Sequence, residues 1–216
     1  MAISAHLMGF AVKLRMIASV FLCFTAVAAQ NLQTFTATYR TFNSSYYDIF
    51  QLENGATISN GALQLTPDSA MISSSLLGSP LENQSGRVML KQRFKFWEQG
   101  YDKNSDRVAS FNSSFLFNIY PLGHNTTSGE GLAFVLAPDK YLPSASFGQF
   151  LGLTNINSDN SPENRLVAIE FDNVKQKFDP DANHVGLDIN SIISTVNASL
   201  TPFGIELAPE DEDEAR

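Results

Sequence analysis

Side chains able to hold a cation crowd into one run: Val167-Ala-Ile-Glu170-Phe-Asp172-Asn-Val-Lys-Gln176-Lys-Phe-Asp179-Pro-Asp181-Ala-Asn183-His184-Val-Gly-Leu-Asp188. If its start is a strand, Glu170 and Asp172 point to the same face, about 7 Å apart along the chain. Two carboxylates on one face repel unless a cation or a proton sits between them. The turn Phe178-Asp179-Pro180 can bring back a third carboxylate, and His184 adds an imidazole five residues later. Three carboxylates and one His suit a site that pairs Ca²⁺ with a transition metal such as Mn²⁺. Calcium takes carboxylate, carbonyl and amide oxygens, and imidazole favours the softer ion. A solvated acidic loop would contain the same residues, so spacing alone leaves both readings open.

The elements that must position these groups read as short strands. Apolar residues recur in Phe35–Phe42, Leu63–Leu65, Arg87–Trp97, Ala109–Ile119, Leu132–Leu136 and Leu166–Phe171. In the third, Val88, Leu90 and Gln92 alternate with Met89 and Lys91, the period of a half-buried strand. Asn54-Gly55 and Asn60-Gly61 are hairpin-turn signals. No window after the first 30 residues shows a 3.6-residue period, and no internal repeat is present. Many short strands joined by Gly, Asn, Ser and Pro turns predict an all-β sandwich or jelly roll. The pattern fades from about Ile205 into the acidic run Glu210-Asp-Glu-Asp-Glu214. Residues 30–207 are therefore read as one domain and 208–216 as a disordered tail.

Residues 1–29 are read as a secretory signal. Lys13 and Arg15 precede an apolar stretch from Met16 to Ala29, with small side chains at Val27 and Ala29 ahead of Gln30. The stretch is short for a membrane span, and no later run is long and apolar enough to be one. Cys23, the only cysteine of the 216 residues, lies within it. The mature part then has no disulfide, zinc–thiolate site or cysteine nucleophile, and depends on its core, on bound metals or on oligomerisation. Removing Lys13 and Arg15 from 14 basic residues leaves 12 against 22 acidic ones, a net charge of −10. That sign disfavours nucleic acid and anionic membrane as partners. Secretion gives meaning to five Asn-X-Ser/Thr sequons, at Asn43, Asn83, Asn112, Asn125 and Asn197.

Six motifs occur in an order that resembles the legume-type (L-type) lectin domain, as found in legume lectins and the ectodomains of plant lectin-like receptor kinases. They are Asn60-Gly-Ala-Leu-Gln-Leu-Thr66, Ser85-Gly-Arg-Val88 with Phe94-Lys-Phe-Trp97, Phe115-Leu-Phe-Asn-Ile-Tyr-Pro121, Gly131-Leu-Ala-Phe134, Phe150-Leu-Gly-Leu153, and the ligand-rich run ending in Asn190-Ser191. The resemblance implies a concanavalin-like jelly-roll sandwich of antiparallel sheets. It implies a Mn²⁺ site from Glu170, Asp172, Asp179 and His184. It also implies a Ca²⁺ site from Asp172, Asp179, the Val174 carbonyl and the Gln176 side chain, where the family has Asn. The sugar-binding positions correspond to Glu130, where the family has Asp, to Gly148 and Gln149 around a loop Gly, and to Gln176. The implied function is a secreted carbohydrate-binding module whose partners are glycans or glycoproteins. A lectin-fold protein that has lost simple sugar binding, and works through protein or apolar-ligand contacts, is the alternative.

The same sandwich hosts endo-β-glucanases, which need a further Glu shortly after the Glu-x-Asp pair. Positions 174 and 175 are Val and Lys, so that acid is missing and no enzyme is expected. His124 sits in a Gly-His-Asn-Thr-Thr turn and reads as a surface residue. The resemblance fades near Gly204–Leu207, short of the family's usual length. This predicts an incomplete sandwich with uncovered strand edges.

Overall fold

The computed structural model describes residues 34–67, 83–102, 105–119 and 129–208. The leader, Asn125, His124 and the acidic tail beyond Ala208 lie outside these. The chain divides into two units, Met1–Tyr39 and Arg40–Arg216. Of the first, only residues 34–39 are described, and they form no helix or strand.

Among the described residues the second unit contains ten antiparallel strands and four short 3₁₀ segments. Strands β1 (Phe50–Asn54) and β4 (Gly86–Leu90) pair with each other, as do β2 (Thr57–Ser59) with β3 (Ala62–Gln64) and β5 (Trp97–Asp102) with β6 (Ser105–Val108). The β2–β3 hairpin closes at Asn60-Gly61, both left-handed, as that dipeptide predicts. The largest sheet runs β10 (Val196–Ser199), β9 (His184–Ile189), β8 (Val167–Asp172), β7 (Gly131–Leu136). No helix among the described residues is long and apolar enough to cross a membrane.

Register gives that sheet two unlike faces. Glu170 lies opposite Ala133 and Gly186, Asp172 opposite His184, and Ala168 opposite Asp188. One face thus carries Ala168, Glu170, Asp172, His184 and Asp188, all buried. It packs on Leu153, Leu166 and Ile192, with Phe150, Leu151 and Phe178 around them. The other face is apolar at every position: Leu132, Phe134 and Leu136 on β7, Val167, Ile169 and Phe171 on β8, Val185, Leu187 and Ile189 on β9, and Val196 and Ala198 on β10.

Two predicted strands are absent. Residues 35–42 and 109–119 contain no ladder; the Phe42 N–H donates to the Gly61 carbonyl and the Ala109 N–H to the Phe96 carbonyl, each at 2.8 Å. The aromatic alternation in 109–119 is satisfied by ring packing instead. Phe115 stacks on Phe134 at 5.7 Å between centroids, and Phe117 lies 4.8 Å from Phe171. The run 87–97 is likewise not one strand: it breaks after Leu90 and resumes at Trp97. Leu207 is buried, its N–H donates to the Asn183 side chain at 3.1 Å, and Asn183 donates to the Ile205 carbonyl at 2.7 Å.

Candidate metal centre

The largest fully buried side chains are polar, led by His184 and Glu170, and they sit together. Alternation on β8 turns Glu170 and Asp172 inward, and antiparallel pairing sets His184 against Asp172. One potential ligand atom from each of the three lies within 4.8 Å of the others. His184 Nε2 is 3.4 Å from Glu170 Oε1 and 3.8 Å from Asp179 Oδ1. His184 Nδ1 lies 3.0 Å from the Asp181 carbonyl, which can only accept, so Nδ1 carries the proton. That tautomer directs the Nε2 lone pair at the carboxylates. Nε2 is buried with no hydrogen-bond partner, the arrangement a metal-ligating imidazole needs.

Gly186 leaves room for this cluster. A Cβ there would strike Glu170 Oε1 and the Ser194 hydroxyl. Ser194 Oγ bonds both Glu170 Oε1 and, at 2.9 Å, Asp188 Oδ1, yet it has one proton to give. Burial, and then the charge of Glu170, push the Asp188 carboxyl up to about 8. Burial likewise lifts Asp172 to about 7, against the pull of the Val174 N–H. Withdrawal from water thus favours the protonated forms of Asp172 and Asp188.

The 173–183 loop is ordered by its own side chains. Val174 N–H donates to Asp172 Oδ1 at 2.7 Å, and Gln176 N–H donates to Asp179 Oδ2 at 2.6 Å. Asn183 N–H donates to Asp181 Oδ1 at 2.9 Å, and Lys175 Nζ reaches the Pro180 carbonyl at 3.0 Å. The loop thereby carries Asp179 back to His184, as the Asp-Pro turn predicts, and leaves Val174 and Gln176 beside Asp172 and Asp179.

Glu130 stands at the same end of the sheet, because Gly131 pairs with Asp172. Gly131 has φ +145°, and a Cβ would run into the Phe171 carbonyl, so a side chain there would push β7 and Glu130 away from β8. Gln176 Nε2 donates to Glu130 Oε2 at 3.0 Å. Gly148 brings its Cα hydrogens to Glu130; a Cβ there would lie 3.8 Å from Glu130 Oε1. Glu130, Gly148 and Gln176 therefore converge. Gln149 follows Gly148 on one 3₁₀ turn and makes no hydrogen bond to either of the others among the described residues. Asp188 and Ser194 are absent from the sequence-derived ligand set. The His184, Gly186, Asp188 alternation could have signalled the first; Ser194 enters from the β9–β10 connection, and sequence spacing gives no sign of it. Of the sequon residues, Asn43, Asn83, Asn112 and Asn197 are exposed.

The sequence matches the legume lectin domain family over residues 34–215. It is 38% identical over 151 residues to a probable L-type lectin-domain containing receptor kinase S.5 of Arabidopsis thaliana, covering 68% of this chain and 21% of that protein. It is 32% identical to Lectin 7 of Medicago truncatula, covering 80% of this chain and 60% of that lectin. The structure superposes on basic winged bean lectin, solved with the Tn antigen, with a TM-score of 0.58 and 26% identity, covering 74% of this chain and 61% of that one. The chain thus spans about three fifths of the lectins it matches and a fifth of the kinase. The shared fold is the all-β legume lectin jelly roll, and the matched family is one of lectins, not enzymes. This chain belongs to the legume lectin domain family.

Proposed function

We propose that this chain is a secreted carbohydrate-binding module with a divalent-metal centre beside its sugar site. The observation that carries this reading is His184 Nε2, buried without a hydrogen-bond partner and facing the carboxylates of Glu170 and Asp179. A transition metal such as Mn²⁺ would be held by Glu170, Asp172, Asp179 and His184. Ca²⁺ would take Asp172, Asp179, the Val174 carbonyl and the Gln176 amide oxygen. Bound cations neutralise the buried carboxylates and stiffen the 173–183 loop. The chain's own residues then do the recognition: Glu130 accepts from sugar hydroxyls, Gln176 Nε2 donates, and the Gly148–Gln149 turn walls the site.

The test is a glycan array probed with folded protein in Mn²⁺ and Ca²⁺ and again in EDTA. It begins with N-acetylgalactosamine-terminated glycans, given the Tn antigen in the winged bean structure. Signal that EDTA abolishes is expected. Silence with metal present refutes the reading.

One contact favours a second reading. Gln176 Nε2 and Glu130 Oε2 are bonded to each other, which occupies one N–H and one acceptor site that a ligand hydroxyl would otherwise use. A chain in which that pair stays closed would work through protein or apolar-ligand contacts.

Secretion is part of the proposal. Lys13, Arg15 and the Val27/Ala29 pair motivate cleavage before Gln30, and glycans at the Asn43, Asn83, Asn112, Asn125 and Asn197 sequons would follow. N-terminal sequencing of protein from the culture medium should begin at residue 30. Secreted protein that still carries Met16–Ala29 overturns it.

A further inference from the structure

Arg87 is a buried cation, 7% exposed, the second residue of β4. Among the described residues it makes no direct ion pair, although the charges of Asp139 and Glu53 partly offset its burial. Its guanidinium instead spans two backbone carbonyls: Nη1 donates to Tyr141 O at 2.7 Å and Nη2 to Gly152 O. Burying a guanidinium on neutral carbonyls is costly, and an apolar side chain would avoid that cost. What a planar fork supplies is geometry, because it fixes two acceptors at once.

Those two carbonyls bracket one loop, residues 141–152. The loop is bent at four left-handed residues: Ala145 (φ 54°), Gly148 (φ 62°), Leu151 (φ 47°) and Gly152 (φ 73°). Ala and Leu rarely adopt that conformation, and it persists only where the surroundings over-determine it. Inside the loop, Gly152 N–H donates to Ser146 O at 2.7 Å, Leu151 N–H to Gly148 O at 2.9 Å and Leu153 N–H to Phe150 O at 2.7 Å. Asn155 Nδ2 adds an outer tie to Ser144 O at 3.0 Å. The product of these bends is Gly148 set beside the Glu130 carboxylate.

We propose that Arg87 is a positioning residue: by clamping both ends of the 141–152 loop it holds Gly148 beside Glu130, and so sets ligand affinity without touching ligand or metal. The affinity part rests on the sugar-site reading above; the clamp stands on geometry alone.

The experiment compares wild type, Arg87→Met and Arg87→Lys by amide hydrogen exchange, MnCl₂ titration and the glycan array. In Arg87→Met the amides of Leu151, Gly152 and Leu153 should exchange at least tenfold faster. The β8 and β9 amides and the Mn²⁺ affinity should stay within twofold of wild type, and affinity for the strongest array glycan should fall at least tenfold. Arg87→Lys keeps the cation but cannot span both carbonyls, so it should lie between the two. If Arg87→Met does not fold, Arg87→Lys carries the test, with about threefold faster loop exchange expected. Loop amides that exchange at the wild-type rate overturn the clamp, as does equal acceleration in β8 and β9. Unchanged glycan affinity with a loosened loop overturns the role in binding. A wild type silent on the array removes the sugar-site reading and the affinity role with it, while loop exchange still decides the clamp.

Discussion

Stripped of metal with EDTA, the protein is expected to lose stability as pH rises from 5 to 8, and divalent metal should remove that loss. Asp172 is raised from 3.8 to about 7 and Asp188 from 3.8 to about 8, both chiefly by burial. Between about pH 4 and pH 8 the folded form therefore binds more protons than the unfolded chain. Stability then falls as pH rises, opposite to the usual behaviour of a paired carboxylate. Metal binding needs those carboxylates deprotonated and so strengthens with pH. The melting temperatures of loaded and stripped protein should thus diverge, from little difference at pH 5 to roughly 5–10 °C at pH 8. That range assumes metal at about 100 times its Kd, worth about 2.7 kcal/mol, and about 2–4 °C per kcal/mol for a domain of this size. His184→Ala removes the Nε2 ligand and should shrink the gap to about 1 °C. Asp188→Asn mimics the protonated acid beside Ser194 and should flatten the stripped protein's slope while leaving the gap. Melting curves at four pH values, with elemental analysis of the loaded protein, decide it. A stripped protein that gains stability toward pH 8, or no gap there, rules out the centre.

How much of this centre the sequence discloses follows from where its ligands lie. Glu170 and Asp172 share a strand, so alternation alone puts them on one face, and the structure keeps them there. His184 and Asp179 are separated from that strand by a loop, and only the order of Asp-Pro and His marks them as partners. The contribution of Asp188 needs the β8–β9 register, and Ser194 needs the connection after β9. Both are long-range facts that composition cannot encode. Arg87 is harder still, since a basic residue in a strand normally reads as solvent-facing, and here the acceptors are carbonyls 54 and 65 residues away. The misreading of 109–119 has a physical cause. Residues 109–119 carry an alternation that either a ladder or ring stacking can satisfy, and Phe134 and Phe171 offer the rings. Sequence period reports which side chains seek cover, not which backbone supplies hydrogen bonds.

The partly covered apolar face of the same sheet makes the second large effect. Val167, Ile189 and Val196 lie on it, 40%, 45% and 64% exposed. Phe111 and Phe115, which stack on Phe134, are 56% and 47% exposed, and the adjoining Leu116 is fully so. A sheet with one face wholly apolar requires a second layer. The match to Lectin 7 covers 60% of that protein, which leaves a portion to be tested as such a layer. Fusing to this chain the portion of Lectin 7 that lies outside the match should raise the melting temperature and shift aggregate to monodisperse protein. Covering five half-exposed apolar side chains at about 1 kcal/mol each gives about 5 kcal/mol, or roughly 10–20 °C. A substitution of opposite sign in the two forms separates coverage from general stabilisation. Val196→Lys puts a charge on the open face, so in the short form it should reduce aggregation by interrupting an apolar edge strand. In the extended form it should cost several degrees, because the same charge is then buried without a partner. Size-exclusion profiles and melts of the four proteins give the answer. A short form that is monodisperse and melts with the extended form, or a Val196→Lys effect of the same sign in both, shows that this face needs no second layer.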